Sequence, residues 1–145
     1  METLTEKVCI AEYSEVPGLL RTIDRLCGGL GFSSFEIANV KLAASELSTN
    51  ILKYAREGEI EIYCDAKEQS IEIVFCDLGP GIDFIELALI DGYTTFTSPS
   101  LGLGLGAASR SVDDIQISNR QPQGLQVKVK KSAKVKRKSD FENAR

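Results

Sequence analysis

The chain has 145 residues and carries 17 basic against 21 acidic side chains, with four cysteines and no histidine. That length suits one domain around one core, no run approaches the ~20 apolar residues of a membrane span, and the acidic opening is unlike a signal peptide, so a cytoplasmic protein without a membrane partner is expected. The missing histidine excludes Ser-His and Cys-His nucleophile schemes and leaves carboxylates as the proton acceptors for any acid-base chemistry.

Cys9, Cys27, Cys64 and Cys76 form no C-x-x-C pair and read as small buried hydrophobes. Charge is unevenly spread: residues 1–127 hold nine basic and nineteen acidic side chains, net −10, while 128–145 hold eight and two, net +6. An acidic body is a poor nucleic-acid surface, so no nucleic-acid partner is expected. The same asymmetry predicts a folded domain over 1–131 and a basic, flexible tail over 132–145, which suits either plain solvation or the docking of an acidic partner.

In chain order, residues 7–11 alternate with Val8 and Ile10 on one side, which predicts a short first strand. Ser14 is a candidate N-cap and Pro17 sits in the first turn of a helix whose apolar stripe is Leu19, Leu20, Ile23, Leu26 and Cys27. Gly28 and Gly29, and then Gly31, are expected to stop it. Ser33 or Ser34 opens a longer helix through Ala55, with Ile37, Val40, Ala44, Leu47, Ile51 and Tyr54 recurring every three or four residues. After Gly58 the period drops to two: Ile60, Ile62 and Cys64 alternate with polar neighbours, and 71–77 return as the hairpin partner across the turn 67–70. Residues 82–90 suit a short helix. The following stretch, 91–105, is rich in Gly, Thr and Ser and too long for an ordinary connection, the mark of a lid, a binding loop or disorder. A helix over about 105–112 and strands over 114–118 and 125–131, joined by the turn 120–124, complete the order. Helices on one face of a mainly antiparallel sheet predict a two-layer α+β sandwich.

Three stretches could carry chemistry. The strand ending at Asp77 delivers one carboxylate into a turn bracketed by Gly79 and Gly81, where a flat ligand can approach the backbone without meeting Cβ atoms. The same residues also suit a plain strand-to-helix turn with Asp77 as the cap. On the long helix Glu46, Asn50 and Lys53 share one stripe, with neighbours about 5 to 6 Å apart at Cβ, so a carboxylate and an amide can address the same metal-bound phosphate. The Asn50 amide oxygen suits Mg²⁺, a hard cation that keeps several waters, and leaves Glu46 free as a base; a solvated helix face is the alternative. The third stretch places Gly102, Gly104 and Gly106 just before a helix N-terminus, where unpaired amides favour phosphate. It lacks the Gly-Lys-Ser/Thr of a P-loop, and no His-Arg-Asp or Asp-Phe-Gly is present, which excludes an ordinary protein-kinase domain.

Together, Glu46-Leu-Ser-Thr-Asn50, Asp77-Leu-Gly-Pro-Gly81 and Ser100-Leu-Gly-Leu-Gly104 resemble the GHKL ATPase superfamily. The small size, the run 45–55 and the Ser-Arg-Ser-Val-Asp-Asp run ending at Asp114 are similar to the bacterial anti-sigma and switch-protein serine/threonine kinases, the stressosome switch kinases above all. The resemblance covers roughly 8–130 and implies the Bergerat ATP-binding fold. It implies ATP and Mg²⁺ as cofactors, with Glu46 as the base, Asn50 as the metal ligand and Lys53 beside them. Asp77 would accept from the adenine amino group, Gly79 and Gly81 would form the floor under the base, and Gly102 and Gly104, in the lid, would meet the phosphates, with Arg110 a possible phosphate contact. The implied activity is phosphorylation of a serine or threonine on a STAS-domain antagonist or scaffold. A nucleotide-gated module that sequesters a sigma factor or activates a metal-dependent phosphatase is the alternative. The chain departs from the family at Gly124-Leu125, where Gly-Thr often helps to hold adenine.

Overall fold

The computed structural model describes residues 3–79 and 101–134. Over these residues lie five strands, β1 (Thr3–Ile10), β2 (Gly58–Asp65), β3 (Ser70–Asp77), β4 (Asp114–Asn119) and β5 (Leu125–Ser132), and three helices, α1 (Val16–Gly29), α2 (Ser34–Tyr54) and α3 (Leu101–Ser111). The strands form one sheet in the order β1-β2-β3-β5-β4, with each neighbouring pair antiparallel. The two-layer α+β sandwich expected from the periodicities is therefore present. The short helix expected over 82–90, the loop that follows it up to residue 100, Gly81, and the tail beyond Lys134 lie outside the described residues.

Alternation along the strands decides which face is covered. Ile60, Ile62, Ile71, Ile73, Phe75, Val127 and Val129 are all buried, and they meet Leu19, Ile23 and Cys27 of α1, Val40, Ala44, Leu47 and Ile51 of α2, and Leu105 and Ala108 of α3. Burying each large aliphatic or aromatic side chain contributes about 1.5–3 kcal/mol, so this single layer supplies the main driving force. Helix α2 packs against both α1 and α3. Its start matches the sequence closely: the Ser33 side chain accepts from the Glu36 N–H, and the Glu36 carboxylate accepts from the Ser33 N–H, a capping box.

Other boundaries differ from expectation, each for a local reason. Strand β1 begins at Thr3 rather than residue 7, because its polar first half is an edge strand held by pairing with β2 rather than by burial. Ser14 does not cap α1. A 3-10 turn, Tyr13–Glu15, precedes that helix, and Glu15 supplies the capping carboxylate to the Ala11 and Glu12 amides. Gly28 and Gly29 continue the helix. The chain leaves it at Gly31, whose φ of 84° is the left-handed conformation that glycine adopts without strain. Cys9 is exposed and Cys64 and Cys76 are half-buried, so only Cys27 is the small core hydrophobe expected of all four. Burial pushes the Cys27 thiol up to about 12. At the C-terminal side β5 reaches Ser132, and the Ala133 and Lys134 amides donate to Gln69 O and to Glu36 Oε2, so the chain is still held there.

Candidate functional site

Antiparallel pairing brings the end of β3 and the starts of β2 and β5 to one end of the sheet, with Gly58 opposite Asp77 and Cys76 opposite Gln126. Asp77 is the last residue of β3, so its carboxylate sits at the rim. Its Oδ1 accepts from the Gly79 N–H at 2.8 Å and from the Leu125 N–H at 3.2 Å. No described residue hydrogen-bonds its second oxygen. Burial raises the carboxyl above its ordinary range, and the two amides and the nearby Arg120 charge only partly offset this.

The β4–β5 turn is seated directly on this exit from β3. Arg120 N–H bonds Gly124 O at 2.8 Å to close the turn, and the Arg120 guanidinium donates to the Asp77 carbonyl at 3.1 Å. The Gln123 side-chain amide donates to the Leu78 carbonyl. Gly124 has φ 115°, and a Cβ there would overlap the carbonyl oxygen of Asp77, so this close approach needs glycine. Gly79 is placed under the end of α2, where a Cβ would stand 2.8 Å from the Ala55 Cβ. The turn 120–124 was expected from its composition, but nothing in the sequence assigned Arg120 or Gln123 to the site, since their partners lie more than forty residues away.

Helix α2 supplies the other wall. Glu46 and Asn50 are partly buried one turn apart, and Lys53 is exposed one turn further on. The Asn50 side-chain nitrogen is buried and unpartnered among the described residues. A buried amide without a partner is costly, about 1–3 kcal/mol, and calls for a water, an ion or a ligand to complete it; Ser48 Oγ on the same helix is in the same state. Asn50 and Asp77 line the same small cavity with Leu47, Ile51, Phe75, Leu105, Leu125 and Val127, an apolar slot with two polar groups. Its volume is about 10 Å³, room for one water, because Leu105 of α3 is fully buried against it. An open groove of about 650 Å³ runs along the other side of Asp77, past Leu78, Arg120, Ala55 and Glu57, but neither Glu46 nor Asn50 reaches it.

The glycine-rich stretch is placed differently from expectation. Gly102 and Gly104 lie within the first turn of α3, not in a loop ahead of it, because the helix starts at Leu101 rather than near 105. Glycine lowers helix propensity, which is why the sequence argued for a later start; the apolar residues of the stretch, with Leu105 and Ala108 in the core, outweigh that cost. The amides of a first turn still lack intrahelical partners. Arg110 is exposed near the other end of the same helix, about 12 Å further along.

Asn50 is the one candidate metal ligand among the described residues that the geometry singles out. A 180° turn of the Asn50 amide places its oxygen where the unpartnered nitrogen stands, so Asn50 could offer the kind of oxygen ligand that Mg²⁺ takes. Among the described residues no helix is long and apolar enough to cross a membrane.

Comparison with known proteins shows which family the chain resembles. The chain is 34% identical over 102 residues to the serine/threonine-protein kinase RsbT of Bacillus subtilis (strain 168), covering 69% of this chain and 75% of that one. It is also 34% identical over 115 residues to the serine-protein kinase RsbW of Bacillus thuringiensis (strain Al Hakam), covering 74% and 71%. The crystal structure of the RsbU and RsbW domains of a Mycobacterium tuberculosis protein shares the fold with a TM-score of 0.60 at 12% identity, over 88% of this chain and 32% of that one. Residues 9–131 match the model of the histidine kinase-like ATPase domain. The GHKL resemblance carried by the three motifs is thereby met, and the chain belongs to the histidine kinase-like ATPase domain family.

Proposed function

We propose that the protein is an ATP-dependent serine/threonine kinase of a partner-switching pathway, acting on a STAS-domain partner protein. The observation that carries this reading is that Asn50, one helical turn from Glu46, shares a cavity with Asp77. One helix face thus offers a base and an amide ligand next to a carboxylate at the strand end. The kinase names of the relatives support the reaction class.

In this reading the second oxygen of Asp77 accepts the adenine amino group, Gly79 and Gly81 face the base, and the apolar slot, which holds one water while Leu105 is packed against it, widens at Leu105 to take the ring. Asn50 would hold Mg²⁺, which neutralises charge on the phosphates. Lys53, Arg110 and the first-turn amides at Gly102 and Gly104 add donors for those phosphates. Glu46 accepts the proton of the attacking serine or threonine hydroxyl, so most of the catalysis is positioning and electrostatics. The Leu125 N–H bonds Asp77, as the N–H of any residue there could, but the Leu125 side chain has no hydroxyl to offer adenine.

The test is titration with Mg-ATP followed by single-turnover phosphorylation of STAS-domain proteins. Phosphate on a serine or threonine of the partner supports the kinase reading. ATP-dependent capture of a partner without transfer would replace it with the nucleotide-gated binding module.

A further inference from the structure

We propose that Arg120 and Gln123 are positioning residues that set adenine selectivity by holding the peptide groups that aim Asp77. The inference rests on the assignment of Asp77 to the adenine amino group. No described side chain hydrogen-bonds the Asp77 carboxylate; among the described residues its two bonds come from backbone amides, those of Gly79 and Leu125. Its direction is therefore only as fixed as the backbone at 77–79 and 124–125. Arg120 and Gln123 grip that backbone at two consecutive carbonyls, those of Asp77 and Leu78. The turn that carries them is closed by the Arg120–Gly124 bond and cannot stand off, because Gly124 packs directly on Asp77.

The aim of the carboxylate follows from this arrangement. Removing the Arg120 guanidinium or the Gln123 amide frees one carbonyl of the β3 exit while leaving the Gly79 and Leu125 bonds to Oδ1 in place. The second carboxylate oxygen then swings over a wider range. Selectivity for a 6-amino purine suffers before the fold does, since Arg120 and Gln123 are both exposed and outside the core.

The experiment measures binding of ATP and of inosine triphosphate, which carries a 6-oxo group, to the full chain. The proteins are the wild type, Arg120→Ala, Gln123→Ala, Asp77→Asn, and each alanine variant combined with Asp77→Asn; thermal unfolding of every variant is recorded alongside. A lost hydrogen bond of this kind corresponds to about a 2- to 10-fold change. Each alanine variant is expected to lower ATP affinity by about that factor while inosine triphosphate binding stays within about twofold, and to have no further effect once Asp77 is Asn. Arg120→Lys, which keeps a donor, is expected to retain most of the selectivity. Equal weakening of both nucleotides, or an alanine effect that persists in the Asp77→Asn background, would overturn the positioning role and leave the adenine assignment standing. Unchanged ATP affinity in Asp77→Asn alone would instead remove the adenine assignment, and this inference with it.

Discussion

At the end of the sheet where β2 turns into β3, carboxylates are answered by the chain itself. Asp65 accepts from the Lys67 and Glu68 amides, Glu36 from the Ser33 and Lys134 amides, and Asp113 from the Ser132 amide with Lys131 and Lys134 beside it. The Glu68 amide leads in holding Asp65 below its ordinary range. For Asp113 burial is the largest single influence and pushes upward, yet the Ser132 amide and the two lysines together outweigh it, so its carboxyl is also held low. At the opposite end burial wins: Asp77 is raised, and the Asn50 amide nitrogen has no described partner. One end is finished by folding, whereas the other leaves polar capacity unspent, which is the arrangement a ligand completes.

Substitutions at the open end should therefore cost function and not stability. The largest effect is expected from Glu46→Gln, which keeps the shape and the helix but removes the proton acceptor. Transfer to the partner should fall by about 10²–10⁴ in single-turnover assays while Mg-ATP affinity is retained. Wild-type transfer by this variant would show that Glu46 is not the base. Asp77→Asn comes next, with ATP affinity falling by the cost of a mismatched buried polar contact, about 1–3 kcal/mol, read by calorimetric titration. Its fold should be at least as stable as wild type at neutral pH. With the folded value of Asp77 raised, the native state holds more protons than the unfolded one between the ordinary and the raised value, so its contribution worsens as pH rises through that window. Asn removes this penalty and still accepts the two amides.

The closed end should respond the other way. Glu36→Ala takes the acceptor from the part-buried Ser33 and Lys134 amide bonds and removes the α2 capping box, so denaturant unfolding should show a loss of about 1–2 kcal/mol with ATP affinity unchanged. Gly104→Ala in α3 tests the boundary between the two regimes. Alanine favours the helix by about 0.5–1 kcal/mol, so stability should rise. If Leu105 must withdraw from the small cavity before a base can enter, the same change should weaken ATP binding by a similar amount. Tighter binding would mean that the helical start of α3 is itself the nucleotide-ready form.

What the residues disclosed follows the same division. The Ile60–Ile62 alternation, the Ser33–Glu36 capping box and the apolar stripe of α2 act over a few residues and were legible, as was Asp77 at a strand end followed by glycine. The start of α3 was not, because local propensity argues against three glycines in a helix and only the burial of Leu105 and Ala108 overrides it. The grip of Arg120 and Gln123 on 77–78 was invisible for a different reason: it joins segments that only the β3–β5 pairing brings together. The fastening of Lys134 to Glu36 is of the same kind, since it spans 98 residues and the basic composition around it suggested a free tail.

A small expected effect provides the sharpest contrast of sign. In Asp113→Asn the Ser132 N–H keeps an oxygen acceptor, so only the charge facing Lys131 and Lys134 is lost. Because the folded value of Asp113 lies below its ordinary one, the ionised carboxylate contributes stability that is fully present above the ordinary carboxylate range and disappears as pH falls through the folded value. The pair with Lys134 is largely solvated, Lys134 being 61% exposed, and the one with the buried Lys131 is long, at 3.6 Å, so the loss at neutral pH should be about 1 kcal/mol. Denaturant unfolding of wild type, Asp113→Asn and Asp77→Asn between about pH 3 and 7 spans the ionisation of an ordinary aspartate. The Asp113 variant should lie below wild type at neutral pH and the Asp77 variant at or above it, with both differences closing on acidification. Curves displaced in the same direction would mean that the two ends of the sheet do not treat their carboxylates differently, and that the unspent capacity around Asp77 is no mark of a site.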